Sequence, residues 1–282
     1  MICTPTRRIA SALLVASLCA SPAACAQTGF QPYIGQEGKD VVWVPTPDEV
    51  VERMLNMAQT RPEDYVIDLG AGDGKIAIAA AKKFGARSLG VEYNPEMVDL
   101  AQRNARAAGV PGRARIAQGD IFATDFTQAT ILTLYLLPVL NMKLRPQILA
   151  MRPGTRVVAH AFDMEDWEPD ETSDVDGRRV FLWIVPARVS GRWVLEFSGA
   201  GGSGKLSLNL DQQFQRIKGV AHLGSALAGL REPRLSGFGI GFAYVDNQGV
   251  RRDFTGRVTG NAMEGSFRTD GGAEGRWTAT RK

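Results

Sequence analysis

Three acids and three glycines are the residues of this chain whose types and spacing could do chemistry. Asp68-Leu-Gly70-Ala-Gly72-Asp73-Gly74 follows the short apolar run Tyr65-Val66-Ile67. It opens into Lys75-Ile-Ala-Ile-Ala-Ala-Ala-Lys82, which reads as a helix. Glu92 closes the next apolar run, Ser88-Leu-Gly-Val91, and Asp120 sits in Gly119-Asp120-Ile121-Phe122 after a third strand-like run. Glycines let a backbone turn sharply and approach a ligand with no Cβ in the way. An acid at the tip of the second strand can accept both hydroxyls of a ribose. The combination predicts a nucleoside site, because a βαβ unit whose glycines served only packing would leave the two later acids unexplained.

The glycine spacing narrows the nucleoside. The dinucleotide fingerprint is G-x-G-x-x-G, whereas this chain has Gly70-x-Gly72-x-Gly74 with Lys75 following and an acid two places before the first glycine. The pattern resembles motif I of class I S-adenosylmethionine-dependent methyltransferases. The resemblance implies that the glycine turn passes beside the methionine half of the cofactor and that Asp68 lies near its amino-acid end. It further implies that Glu92 holds the ribose and that Asp120 faces the adenine amino group. The candidate cofactor-binding residues are therefore Thr46, Asp68, Gly70, Gly72, Asp73, Gly74, Glu92, Tyr93, Asp120 and Ile121, with S-adenosyl-L-methionine as cofactor.

The elements that must position these residues follow from periodicity and punctuation. Thr46-Pro47-Asp48-Glu49 reads as a helix start, with Thr46 as N-cap, Pro47 at the first helical position and Glu49 completing a capping box. Asn94-Pro95-Glu96 opens a second helix by the same logic, and Gly109 ends it. The expected order is helix 47–59, strand 64–69, helix 74–84, strand 87–92, helix 95–108, strand 114–119, strand 130–136, helix 139–151, strand 155–161 and strand 179–187. Strands alternating with helices predict an α/β, Rossmann-like, mostly parallel sheet with helices on both faces. Ligands of such sheets bind at the carboxyl ends of the strands. After about residue 189 helical periodicity stops. Short alternating runs take over at 193–197, 205–210, 239–245, 252–258, 262–267 and 275–279, separated by turn signals. They predict a C-terminal antiparallel β domain, a curled sheet or partial barrel. The expected division is a methyltransferase domain over 30–189 and a β domain over 190–282, with the boundary somewhere in 190–204. Strand 191–198 could instead complete the first sheet beside 179–187.

Composition sets limits on the function. At 282 residues, with 44% hydrophobic and 22% charged content, the chain can bury a substantial core. The formal charge is +3; outside residues 1–26 it is +1, from 31 basic against 30 acidic residues, so nucleic acid is not an expected partner. No apolar run after the N-terminal segment reaches membrane-spanning length. Arg7-Arg8, the apolar stretch Ile9–Leu18 and Ala24-Cys25-Ala26 before Gln27 have the order of a secretory signal peptide over 1–26. Pro22 fits a lipoprotein signal poorly, and Ile9-Ala10-Ser11 lacks the aromatic-leucine sequel of a twin-arginine signal. The expectation is cleavage after Ala26 and export, to the periplasm; the alternative is an uncleaved N-terminal anchor. All three cysteines (Cys3, Cys19, Cys25) fall inside that segment, so the mature chain has no disulfide framework, cysteine zinc site or catalytic thiol. His160 and His222 alone make a histidine metal site unexpected.

A closer resemblance bears on the acceptor. Val44-Pro-Thr-Pro47, Asp68-Leu-Gly-Ala-Gly-Asp-Gly74 and Gly90-Val-Glu-Tyr-Asn-Pro95 resemble the ATP synthase c-subunit lysine methyltransferases and their bacterial relatives. Pro153-Gly-Thr-Arg-Val-Val158 and Phe162-Asp-Met-Glu-Asp-Trp167 continue the similarity to about residue 170. The resemblance implies methyl transfer to a protein lysine amine. Leu134-Tyr135-Leu-Leu-Pro138 stands where many methyltransferases carry an Asn/Asp-Pro-Pro-aromatic motif, and here there is no Asn or Asp. Tyr135, Pro138, Phe162 and Trp167 are the candidate substrate wall, with core or rim packing as the alternative reading. His160 is a candidate for proton handling or a structural histidine. The methyl acceptor is a protein or a small molecule. A methyltransferase of a small molecule or envelope component, and an exported non-catalytic binding protein on the same fold, are the other readings. The sequence carries no signal for oligomeric state.

Overall fold

The computed structural model describes residues 1–2 and 30–282. The expected export signal, with its three cysteines, therefore lies outside the described residues apart from Met1 and Ile2. No described helix is long and apolar enough to cross a membrane.

Residues Tyr65 to Ile184 build a seven-stranded sheet in the order β3-β2-β1-β4-β5-β7-β6. Its strands are β1 (Tyr65–Leu69), β2 (Arg87–Glu92), β3 (Ala114–Gln118), β4 (Ile131–Leu134), β5 (Arg156–His160), β6 (Glu171–Val175) and β7 (Arg178–Ile184). The first five are parallel; β7 runs antiparallel to β5, and β6 to β7. The helices are α1 (Asp48–Met57), α2 (Lys75–Phe84), α3 (Pro95–Ala107) and α4 (Pro138–Ile148). Strand alternation assigns the faces. Val66 and Ile131 pack with α1 and α2 on one side, while Ile67, Leu132 and Leu134 pack with Leu140, Leu144 and Ile148 of α4 on the other. β4 is buried at every position, as a central strand covered on both faces must be.

Two local expectations change. Asn94 does cap α3, its Oδ1 accepting from the amides of Glu96 and Met97, with Pro95 at the first helical position. Thr46 does not cap α1. Pro47 occupies the N-cap and no side chain caps the helix, because the buried Thr46 hydroxyl turns instead to His160 Nδ1, 3.3 Å away. β6 was not expected. Glu-Thr-Ser-Asp-Val carries no apolar alternation, which is how an exposed edge strand looks in sequence.

Residues Gly191 to Arg281 form a second, entirely antiparallel sheet in the order β11-β10-β9-β8-β16-β15-β14-β13-β12. Its strands are β8 (Gly191–Gly199), β9 (Gly202–Gln213), β10 (Arg216–Leu223), β11 (Ala226–Gly229), β12 (Arg231–Ser236), β13 (Gly239–Val245), β14 (Arg251–Thr259), β15 (Ala262–Thr269) and β16 (Glu274–Arg281). β8 pairs with β9 and β16 rather than with β7, so it belongs to this sheet. The sheet curls until β10 approaches β12, giving a nearly closed barrel. Phe254 lies at the centre, stacked on Phe242, Phe267 and Tyr244 with centroids 5.1, 5.5 and 5.6 Å away. Strands β10 to β12 escaped the sequence pattern, for Gly219 interrupts one run and Pro233 with a register shift interrupts another.

The two sheets meet through specific contacts. Trp167 stacks on Phe214 at 5.8 Å and its indole N–H donates to Gln215 Oε1 at 2.9 Å. Gln215 Nε2 donates to the Glu168 carbonyl at 2.7 Å. A second contact sets Gly237 against the backbone of Gly154.

Candidate active site

The glycine turn closes the carboxyl end of β1. Gly70, Gly72 and Gly74 all have positive φ (81°, 55° and 83°), a region that L side chains rarely adopt. The turn is stitched to β2: the amides of Gly70 and Ala71 both donate to the Val91 carbonyl. A Cβ on Gly72 would stand 2.8 Å from Trp43 Nε1, so the backbone here is pressed between two walls. Gly74 abuts Ala101 of α3, and Asn104 of the same helix ties down the Asp73 carbonyl at 2.9 Å.

The three acids occupy one cleft of about 340 Å³, also lined by Tyr93, Ile121 and Tyr135. Asp68 is 2% exposed. Burial pushes its carboxyl up to about 7, offset by a hydrogen bond from Thr133 Oγ1, 2.7 Å long. Burial also raises Asp73. Glu92 accepts from the Gly72 amide with Oε2 and from the Asn94 amide with Oε1, both at 2.9 Å. A carboxylate has about four lone-pair sites, so each oxygen can accept once more toward the cleft. Asp120 accepts from the Phe122 amide at 2.9 Å and pairs with Lys39 at 2.6 Å; the Lys39 hydrogen bond, then the amide, holds its pKa below the ordinary carboxylate range. The acceptor set fits a nucleoside that donates from hydroxyls and an amine, between apolar walls. Among the described residues no cluster of three metal-ligating side chains is present.

Residues Gln36 to Thr46 form the outer wall, which the sequence did not reveal as a unit. A small hairpin, held by Gln36 and Trp43 backbone bonds, folds over the cleft. Lys39 reaches from it to Asp120 and sits 4.6 Å above the Tyr93 ring. In sequence only its end was marked, by Trp43 and Thr46 as candidate cofactor cover and by the Val44-Pro-Thr-Pro47 motif, and nothing local predicts a pairing 81 residues apart.

The candidate substrate wall divides. Tyr135 and Phe162 both line the cleft, their rings stacked with centroids 6.5 Å apart. Tyr135 also lies 4.0 Å from the His160 ring. Burial and then the Arg178 charge lower His160 to about 4, so it is neutral near pH 7. Trp167 and Pro138 are corrected. Trp167 is 0% exposed and bonded to the β domain; its indole is core because the turn bridged by Met164 and Trp167 brings the chain back inward after the exposed Glu165 and Asp166. Pro138 is exposed at the first position of α4 and is not among the lining residues, since the helix start turns it outward. Leu136 and Leu137 take its place in the wall.

The strand order 3-2-1-4-5-7-6, with a glycine turn after the first strand, an acid ending the second and another just beyond the third, defines a class I S-adenosylmethionine-dependent methyltransferase. The sequence model of the ANTKMT methyltransferase domain matches residues 68–171. A protein of Saccharolobus islandicus (strain REY15A) named protein-lysine N-methyltransferase is 42% identical over 151 residues, 51% of this chain and 94% of that protein. The ATP synthase c-subunit lysine N-methyltransferase of Mus musculus is 33% identical over 132 residues, 46% of this chain but only 53% of that protein. A crystal structure described as an RNA methyltransferase from Salinibacter ruber, in complex with S-adenosyl-L-homocysteine, shares 48% identity and a TM-score of 0.51, covering 52% of this chain and 96% of that one. The chain belongs to this methyltransferase family, and S-adenosylmethionine is its cofactor.

Proposed function

We propose that the protein transfers a methyl group to a lysine amine of a protein substrate. The observation that carries this reading is the 42% identity across nearly the whole of the Saccharolobus islandicus protein named protein-lysine N-methyltransferase. The cofactor supplies an activated sulfonium methyl. The protein's part is to align the acceptor and keep water out. In this reading Glu92 receives the ribose hydroxyls on its remaining lone pairs, Asp120 faces the adenine amine, and Asp68 faces the cationic amino-acid end. Tyr135 and Phe162 form an aromatic wall suited to the alkyl stem and cationic head of a lysine. The amine must arrive neutral although free lysine has a pKa of ~10.4, and the desolvating wall favours the neutral form.

The 48% identity to the Salinibacter ruber protein favours RNA as a second reading. One experiment separates them. Tritiated methyl transfer to protein, RNA and lipid extracts, followed by mass spectrometry of the labelled product, is expected to place label on lysine. Label confined to RNA or to small molecules rejects the lysine reading.

We also propose that the protein acts outside the cytoplasm. Arg7-Arg8, the apolar run after them and Ala24-Cys25-Ala26 support export. Sequencing the N-terminus of protein recovered from its native cell is expected to begin at Gln27; recovery of intact residues 1–26 from the cytoplasm rejects export.

A further inference from the structure

The loop from Ala161 to Trp167 carries the Phe162 ring to the wall of the cleft, and its backbone is strained. Among the described residues six non-glycine positions have positive φ. Three of them, Ala161 (66°), Glu165 (54°) and Phe214 (54°), fall on this loop and on the barrel turn that touches it. L side chains rarely adopt that region, and such strain persists only where the surroundings over-determine it. The Phe162 amide donates to the His160 carbonyl at 2.8 Å. That bond across a positive-φ residue is the mark of the rarer form of γ-turn, and it bends the chain off the end of β5. We propose that Phe214 and Gln215, on the turn between β9 and β10, are positioning residues of the active site. They hold the 161–167 loop, and through it the Phe162 ring on the wall of the cleft.

Two elements grip the loop. The first is α4, where Asn141 and Arg145 stand four residues apart and so share one face of the helix. Asn141 is buried, and its Nδ2 donates to the carbonyls of Phe162 and Asp163 at 3.4 and 3.3 Å. Its buried Oδ1 has no partner among the described residues. An unpaired buried acceptor is costly, so what this side chain contributes is its grip on the loop. Arg145 donates to the Met164 carbonyl at 3.1 Å and forms an ion pair with Asp166. Leu140, the neighbour of Asn141, lines the cleft itself.

The second element is the barrel. Phe214 and Gln215 are the two central residues of a hairpin whose flanking residues, Gln213 and Arg216, face each other in register. Glycine is the usual choice where such a turn needs positive φ. The ring explains why phenylalanine stands there instead. It stacks on Trp167 at 5.8 Å and lies 5.3 Å from the Arg145 guanidinium. One ring therefore touches both the far end of the loop and the α4 side chain that holds its middle. Gln215 accepts from the Trp167 indole and donates to the Glu168 carbonyl, and Arg216 forms an ion pair with Glu168. The Trp183 indole donates to the Trp167 carbonyl at 2.7 Å and fastens the same end from β7. A shift of the turn would move Trp167 and Arg145 together, and the Met164 and Phe162 backbone between them.

That Phe162 faces the acceptor rests on the proposed function; its fixation by the barrel turn does not. The test is fluorine NMR of the full chain, saturated with S-adenosyl-L-homocysteine and carrying para-fluorophenylalanine at position 162 alone. The parent is expected to give one narrow resonance. Phe214→Gly removes the ring while relieving the strained φ, so it should broaden or split that resonance without lowering S-adenosyl-L-homocysteine affinity. Gln215→Ala should do the same more weakly, and Phe214→Tyr, which keeps the stack, should match the parent. Methyl transfer from the tritiated cofactor to whole-cell extract should fall about ten- to hundredfold in Phe214→Gly, as for a misplaced wall, and stay at the parent rate in Phe214→Tyr. Phe214→Leu, which keeps apolar bulk and loses the stack, replaces the glycine variant if that variant does not fold. An unchanged resonance in the variant lacking the stack overturns the proposal. So does a change that Phe214→Tyr shares, or one accompanied by an equal loss of S-adenosyl-L-homocysteine affinity. A changed resonance with methyl transfer undiminished in both Phe214→Gly and Phe162→Ala keeps the fixation of Phe162 and rejects its place on the acceptor wall.

Discussion

Both halves of the molecule bury rings, but the parallel half buries polar side chains among them and the barrel half buries almost none. Asp64, Asp68, Ser88, Thr133, Asn141, Thr155 and His160 are all buried in the first half, whereas Thr269 alone among the described polar residues is so buried in the second. Barrel positions of the same kind hold Trp193, Tyr244, Phe254, Phe267 and Trp277. A buried polar group is costly unless hydrogen-bonded, so its presence marks where other demands outweigh packing. Asp68 has Thr133, Asp64 has Thr130 and Arg156, and Ser88 has the Ala77 carbonyl. The difference teaches that the site lies where strand ends leave a cavity between helices. The barrel, curled onto its own side chains, is a filled body that fastens to the loop at Trp167.

Emptying the barrel should give the largest effect. Trp277→Ala removes a ring whose N–H donates to the Thr255 and Ser266 carbonyls and is expected to cost about 3–5 kcal/mol of stability. Cofactor affinity of the molecules still folded should not change; a parallel loss of affinity, read by calorimetry, would break the distinction between a filled half and a working half. Glu92→Ala should do the reverse, weakening S-adenosylmethionine binding about ten- to hundredfold through lost hydrogen bonds to a charged acceptor. Unchanged affinity would refute its ribose role.

Asp68 sharpens the contrast through pH. Its carboxyl in the free protein titrates at about 7 because burial disfavours the charged form. A cationic cofactor amine favours the carboxylate, so binding lowers that pKa and must expel a proton below about pH 7. Affinity should therefore fall as pH drops below about 7, by at most tenfold per unit, and Asp68→Asn should flatten the profile. A wild-type profile that stays flat between about pH 8 and about pH 5 would sink the assignment. Gln215→Ala should give the smallest effect. It deletes the bonds to Trp167 and to the Glu168 carbonyl and is expected to cost about 1–2 kcal/mol, with the two halves melting apart in calorimetry and cofactor affinity intact. A single unshifted transition would show that these bonds do not couple the halves.

Much of the parallel half was legible because its signals are local. The Asp68–Gly74 turn, the Asn94-Pro95 cap and the nearly all-apolar β4 each follow from the neighbouring residues alone. The barrel's rings were also legible as alternation, while β10 to β12 were not, since Gly219, Pro233 and the shifted register there break the period of two. At the site the acids were readable and the walls were not. Trp167 looks like Phe162 in sequence, both aromatics following β5, and only the inward turn of the chain separates core from cleft.

The sequence by itself therefore determined the cofactor, because a glycine turn and strand-end acids recognise it through backbone geometry and charge at fixed spacing. Tertiary structure decided the rest. Lys39 reaches Asp120, Thr46 leaves its helix for His160, and Arg178 comes beside Tyr135 through pairings between segments far apart in the chain. Such contacts depend on how the sheet brings its edges together, which no residue's neighbours in sequence specify.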